Sequence, residues 1–177
     1  MKRRFLVCAL LVTAAIAIQV AYAAEAPAVG SAAPEFNLAT NEGNQAALKD
    51  FQGKWVVLYF YPRDFTSGCT VEAHNFQTDL AKYQAVNAVI LGVSVDSAES
   101  HKNFCAKEGL AFKLLSDTDG KVSDAYGSAA EYQGAKISKR NTFIINPQGK
   151  IAQVFLKVSP GGHSAEVLAA LAALQKP

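Results

Sequence analysis

Two uninterrupted apolar runs constrain this chain more than any other feature. Residues 55–61 read WVVLYFY and residues 88–95 read AVILGVSV. Both are rich in β-branched or aromatic side chains and neither alternates polar with apolar, so each predicts a strand buried on both faces. Pro62, Ser67 and Gly68 punctuate a loop after the first run. Ala73, Phe76, Leu80 and Tyr83 then recur at helical spacing. After the second run, Asp96 is placed to cap a helix, with Glu99 completing a capping box, and Gly109 is placed to end it. Residues 142–145 and 151–156 predict a hairpin. Its connection, Asn146-Pro147-Gln148-Gly149, has Pro and Gly where a type I turn favours them. The Ala- and Leu-rich stretch 164–174 predicts a final helix. Buried strands alternating with helices imply an α/β domain with helices on the faces of the sheet.

The N-terminus has the order of an export signal: cationic Lys2, Arg3 and Arg4, an apolar run from Phe5 to about Val20, then Ala21-Tyr22-Ala23. The expected division is a signal peptide over 1–23, a flexible segment over 24–29 and a single domain over 30–177. The expected location is outside the cytoplasm, in the periplasm, with no stable membrane association after cleavage. Cleavage removes Cys8 from the three cysteines and leaves Cys69 and Cys105 in a compartment where disulfides persist. Two cysteines are too few for a disulfide scaffold in a chain long enough to bury its own core, which favours redox chemistry as their purpose. Seventeen Lys and Arg against fifteen Asp and Glu give no electrostatic argument for a nucleic-acid partner.

The segment from Pro62 to Thr70 (PRDFTSGCT) joins a buried strand to a helix. A cysteine there lies in the first helical turn, where free backbone N–H groups and the positive end of the helix dipole favour its thiolate. Thiolate is the nucleophilic form. Thr66, three residues before Cys69, is spaced as an N-cap whose hydroxyl can face the sulfur or the helix amides. A buried structural cysteine is the plainer alternative, and the strand-to-helix turn argues against it.

Pro62-x-x-x-Thr66-x-x-Cys69 resembles the active-site signature of the peroxiredoxins, and the wider run FYPRDFTSGCT is similar to the peroxiredoxin Q (bacterioferritin comigratory protein) branch. Gly30-Ser31-Ala32-Ala33-Pro34-Glu35-Phe36 resembles the entry segment of that family. Arg140-Asn141-Thr142-Phe143-Ile144-Ile145, followed by Gly149-Lys150-Ile151, resembles its hairpin. The resemblance implies a thioredoxin-like fold with a central mixed β-sheet flanked by helices, and reduction of hydrogen peroxide or alkyl hydroperoxides. It implies that Cys69 is the nucleophile, that Thr66 hydrogen-bonds peroxide and sulfur, that Arg140 stabilises the thiolate and polarises the peroxide, and that Pro62 shields the site from water. These roles suit a reaction in which negative charge develops on oxygen and needs fixed donors and a cation.

Many members of that branch carry a resolving cysteine five residues after the nucleophile; here that position is His74. The resemblance points instead to Cys105, which would condense with the Cys69 sulfenic acid. The alternative is a buried thiol, with Cys69 acting alone. A disulfide needs Cα atoms within about 7 Å, so two cysteines on separate helices are expected to require local unwinding. Turnover then implies a thioredoxin-like or glutaredoxin-like reductant. A thiol–disulfide oxidoreductase is disfavoured because Thr66 and Glu72 stand where a Cys-x-x-Cys pair would need cysteine. A redox-sensing or chaperone-like module shares the chemistry but would turn over poorly. His74, His101 and His163 make no ligand pattern, so no metal or cofactor is expected. Monomer and homodimer both remain open.

Overall fold

The computed structural model describes residues 25–176; the signal sequence expected over 1–23 lies outside them. Strands β1 (Asn37–Thr40) and β2 (Gln45–Ala47) precede a single 3-10 turn at Leu48–Phe51 and strand β3 (Trp55–Phe60). Helices α1 (Ser67–Thr78) and α2 (Leu80–Ala85) follow, then β4 (Ala88–Ser94), α3 (Ala98–Glu108), β5 (Lys113–Ser116) and α4 (Lys121–Ala125). Strands β6 (Ala129–Tyr132) and β7 (Ala135–Ser138) make a separate hairpin, and β8 (Asn141–Ile145), β9 (Ile151–Phe155) and α5 (His163–Leu174) complete the chain. The main sheet runs β2-β1-β5-β4-β3-β8-β9. β3, β4 and β5 are parallel to one another, and the other pairs are antiparallel. This is the α/β class with a mixed central sheet.

The two apolar runs are the inner strands β3 and β4, paired from Trp55↔Ala88 to Phe60↔Val93. Successive side chains leave opposite faces. Val57, Tyr59, Tyr61 and Ile90 join one core with Ala73 and Phe76 of α1, Phe104 of α3, and Val167 and Leu171 of α5. Val56, Leu58, Phe60 and Val93 join the other with Val122 of α4, Tyr126 and Phe143. Helices on both faces leave no polar face to the sheet, which is why neither run alternates. Gly92 is set by this packing: a Cβ there would lie 2.6 Å from Leu114 Cδ2 and 2.7 Å from Tyr59 Cζ.

Several local expectations need correction. The helical stretch from Ala73 to Tyr83 is two helices, broken at Asp79. Asp79 accepts hydrogen bonds from the Ser164 hydroxyl and from Lys82 Nζ, both at 2.7 Å, and the buried Tyr83 hydroxyl donates to the Ser164 carbonyl at 2.8 Å. Contacts with α5 override local periodicity here. The N-cap of α3 is Ser97, which accepts from the Ser100 N–H, not Asp96. The Asp96 carboxylate instead accepts from the Asp64 N–H at 2.9 Å and the Ser94 hydroxyl at 2.7 Å. Gly109 does end α3, with φ 65°.

Candidate active site

Cys69 is the third residue of α1, 2% exposed. Thr66 is the N-cap, with φ −83° and ψ 146°. Its carbonyl accepts the Thr70 N–H at 2.9 Å, so the amides of Ser67, Gly68 and Cys69 make up the donor end of the helix beside the sulfur. The Thr66 hydroxyl does not cap these amides. It donates to the Arg63 carbonyl at 3.1 Å, which corrects the expected facing of that group. Pro62 is half-buried and lines a cleft of about 320 Å³ with Arg63, Thr66, Tyr132, Ala135 and Ile137. Phe65 sits in the same loop at φ 60°, an uncommon conformation for a non-glycine residue. Its ring meets Phe104 edge-on at 5.1 Å, and Lys107 Nζ lies 5.4 Å from the ring centre.

Arg140 arrives from 71 residues further along the chain. The register of β3 with β8 pairs Phe60 with Asn141, so the residue before Asn141 lies at the end of the sheet where β3 gives way to the Pro62 loop. The Val158 N–H donates to the Arg140 carbonyl at 2.9 Å, and the Lys157 N–H donates to Asn141 Oδ1 at 3.0 Å, which hold this turn. From there Arg140 Nη2 donates to Cys69 Sγ at 3.4 Å. Gly68 makes room for the guanidinium: a Cβ on it would be 3.3 Å from Nη2.

The other arm of Arg140, Nη1, pairs with Glu72, a residue with no role assigned from sequence. Glu72 is 1% exposed, and its Oε1 has no hydrogen-bond partner among the described residues. Burial pushes its carboxyl up to about 7, against the opposing pull of Arg140. Burial also works against the Arg140 charge, but Glu72 and Cys69 outweigh it and raise that group above its ordinary value. The available signal for Glu72 was its position one turn after Cys69, beside the core-facing Ala73 and Phe76.

Cys105 is on α3, 7% exposed, in the same core as Cys69, and both are free thiols. Burial pushes the Cys105 thiol up to about 12, with the carboxylates of Asp64 and Glu42 adding to the effect. Tyr59 shares the core of the two cysteines. Burial first, then the charges of Glu72, Cys105 and Cys69, raise its hydroxyl well above the ordinary value. His74 is half-exposed and pairs with Glu108 of α3 at 3.0 Å.

A helix-terminal cysteine with a guanidinium on its sulfur stands where negative charge is stabilised. Residues 29–154 match the AhpC/TSA family, and the chain is 43% identical over 143 residues to peroxiredoxin Bcp of Xanthomonas campestris pv. campestris, covering 78% of this chain and 89% of that one. The chain belongs to this family, the peroxiredoxins. Peroxiredoxin Bcp of Bacillus subtilis is 38% identical over 150 residues, covering 81% of this chain and 94% of its own. Among solved structures, a mutant of Xylella fastidiosa PrxQ superimposes with a TM-score of 0.80 at 34% identity, over 84% of this chain and 98% of its own. A structure of the Xanthomonas campestris bacterioferritin comigratory protein gives 0.75 at 41% identity, over 80% of this chain and 92% of its own. The peroxiredoxin thus has the thioredoxin-like fold expected of it, sits in the peroxiredoxin Q branch and is a thiol-dependent peroxidase.

Proposed function

We propose that the enzyme reduces hydrogen peroxide and alkyl hydroperoxides through Cys69, with Cys105 as its resolving partner. The Arg140 contact with Cys69 Sγ at 3.4 Å, at a helix N-terminus, carries this reading. The Cys69 thiolate attacks one peroxide oxygen. An S–O bond forms, the O–O bond breaks, and the alkoxide or hydroxide leaves and takes up a proton. The sulfur is oxidised by two electrons to a sulfenic acid. Arg140 and the first amides of α1 face the charge that develops on oxygen. A rotation about χ1 turns the Thr66 hydroxyl from Arg63 towards the bound peroxide, and Pro62 shields the sulfur from water.

The Cys105 sulfur then attacks the sulfenic sulfur. The S–S bond forms and the S–O bond breaks. Hydroxide leaves as water with the proton of the second thiol. A thioredoxin-like or glutaredoxin-like dithiol returns both cysteines to thiols in an exported, periplasmic enzyme, monomeric or homodimeric. The test is mass spectrometry with non-reducing peptide mapping after one equivalent of hydrogen peroxide. A Cys69–Cys105 linkage within seconds is expected. Oxidised Cys69 beside a free Cys105 would make it a one-cysteine enzyme, and an unreacted Cys69 would overturn the whole assignment.

A further inference from the structure

Helix α3 is fastened to the Cys69 segment on both sides of Cys105, and the two fastenings differ in kind. On the N-terminal side, Asp64 of the active-site loop is 4% exposed. Its carboxylate accepts from the Tyr61 hydroxyl at 2.7 Å and the Ser100 hydroxyl at 2.6 Å, and lies 2.9 Å from His101 Nδ1. His101 is fully buried. Its Nε2 lies 3.2 Å from the Leu115 carbonyl. A carbonyl only accepts, so Nε2 carries a hydrogen. Nδ1 also lies 3.2 Å from Asp64 Oδ1 and 3.3 Å from the Tyr61 hydroxyl. On the C-terminal side the fastenings are the half-exposed His74–Glu108 pair at 3.0 Å, the Ala111 N–H donating to Gln77 Oε1 at 2.7 Å, and Lys107 Nζ over the exposed Phe65 ring at 5.4 Å.

These are unequal. An exposed pair such as His74–Glu108 holds weakly. Releasing one partner of the inner set would leave a buried carboxylate or imidazole without its hydrogen bonds, which is strongly unfavourable. Cys105 is one turn beyond His101, and the helix ends four residues later at Gly109.

We propose that the Asp64–Ser100–His101 network is the fixed pivot of the resolving step: α3 unwinds from its Gly109 end back towards His101, and its first turn stays attached to the Cys69 loop. This rests on Cys105 being the resolving cysteine. His101 and Ser100 are then positioning residues, since among the described residues their side chains hydrogen-bond Asp64, Tyr61 and the Leu115 carbonyl and not a cysteine sulfur. The pivot limits the search: four residues of extended chain reach at most about 14 Å, so Cys105 stays at high effective concentration near the sulfenic sulfur. The step adds no oxidant beyond the peroxide already consumed, because Cys105 displaces the sulfenic oxygen as water. Unwinding also ends the burial that keeps Cys105 protonated.

The test compares the reduced protein with the peptide-mapped disulfide form by hydrogen exchange and by the NMR signal of the His101 Nε2–H. Residues 105–111 are expected to lose protection on oxidation, while the Asp64 and His101 amides and the His101 ring signal persist. A linkage that forms with loss of the ring signal would overturn the pivot alone. Failure of the linkage would overturn the Cys105 reading and the pivot with it. In stopped-flow kinetics, His101→Gln is expected to leave sulfenic-acid formation within about twofold and to slow disulfide formation about tenfold, with sulfinic Cys69 accumulating. Ser100→Ala, a milder change, is expected to shift the same phase in the same direction. His74→Gln is expected not to slow it. Undiminished disulfide formation in Ser100→Ala and a folded His101→Gln would refute the pivot.

Discussion

The guanidinium of Arg140 touches two side chains at once, Cys69 Sγ through Nη2 and Glu72 through Nη1. A planar fork does this and a point charge does not. Replacement by Lys should therefore fail to rescue: Arg140→Lys is expected to lower kcat/KM for hydrogen peroxide about a hundredfold, measured by stopped flow. A rate within threefold of wild type would mean that charge alone suffices. Glu72 gives a pH signature. Its folded pKa of about 7 lies above the ordinary 4.5, so the folded state binds that proton more tightly than the unfolded chain. Stability from this group is complete below pH 4.5 and is lost as pH rises through 7. Relative to Glu72→Gln, the wild type is expected to lose up to about 3 kcal/mol across that window in urea titrations. A flat difference would show that Arg140 keeps the carboxylate ionised throughout.

At the scale of elements, the site depends on how α1 begins and on what lies beneath it. Gly68 lets the Arg140 guanidinium pass the helix backbone, with 3.3 Å for a would-be Cβ. Gly68→Ala is expected to displace Arg140 and slow Cys69 oxidation while leaving the fold intact; circular dichroism and stopped flow separate the two effects. Gly92→Ala differs, because its Cβ would meet both the Tyr59 ring and Leu114 below 3 Å in the middle of the sheet. That overpacking is expected to cost about 1–3 kcal/mol, read as a lowered urea midpoint. Tyr59 borders the core that holds both cysteines, so the same change should also alter the disulfide-forming phase. Equal stability to wild type would mean that β3 and β4 separate more easily than their pairing suggests.

Across the whole molecule, α5 is joined to the sheet through His163, fully buried, whose Nε2 lies 2.8 Å from the Thr142 hydroxyl and whose Nδ1 lies 3.3 Å from Glu166. Burial depresses its pKa below the ordinary 6.5, with Arg140 acting in the same direction and Glu166 against it. Stability from the neutral imidazole is present above pH 6.5 and is lost as pH falls through the lowered folded value. His163→Gln should remove that acid-side loss in thermal melts at stepped pH; an unchanged acid limb would place the loss elsewhere. The inner strands, the β8–β9 hairpin, the Gly109 stop and the position of Cys69 at a helix start were all legible in the sequence. Each is a matter of local periodicity, turn chemistry or a short motif. The short strands β1, β2 and β5, α4 and the β6–β7 hairpin were not legible, because segments of three to five residues without a marked turn between them carry too little period to register. Nor were the Asp79 break, the capping of α3 by Ser97, the Glu72 partner of Arg140 or the buried Asp64–His101 network. By itself the sequence determined the inner strands, the β8–β9 hairpin, the last helix and which cysteine stands at the head of a helix, since neighbours along the chain decide those. Only the tertiary structure decided what touches the sulfur, because Arg140 reaches Cys69 through the register of two strands far apart in the chain, and side chains that meet across such a register leave no local trace.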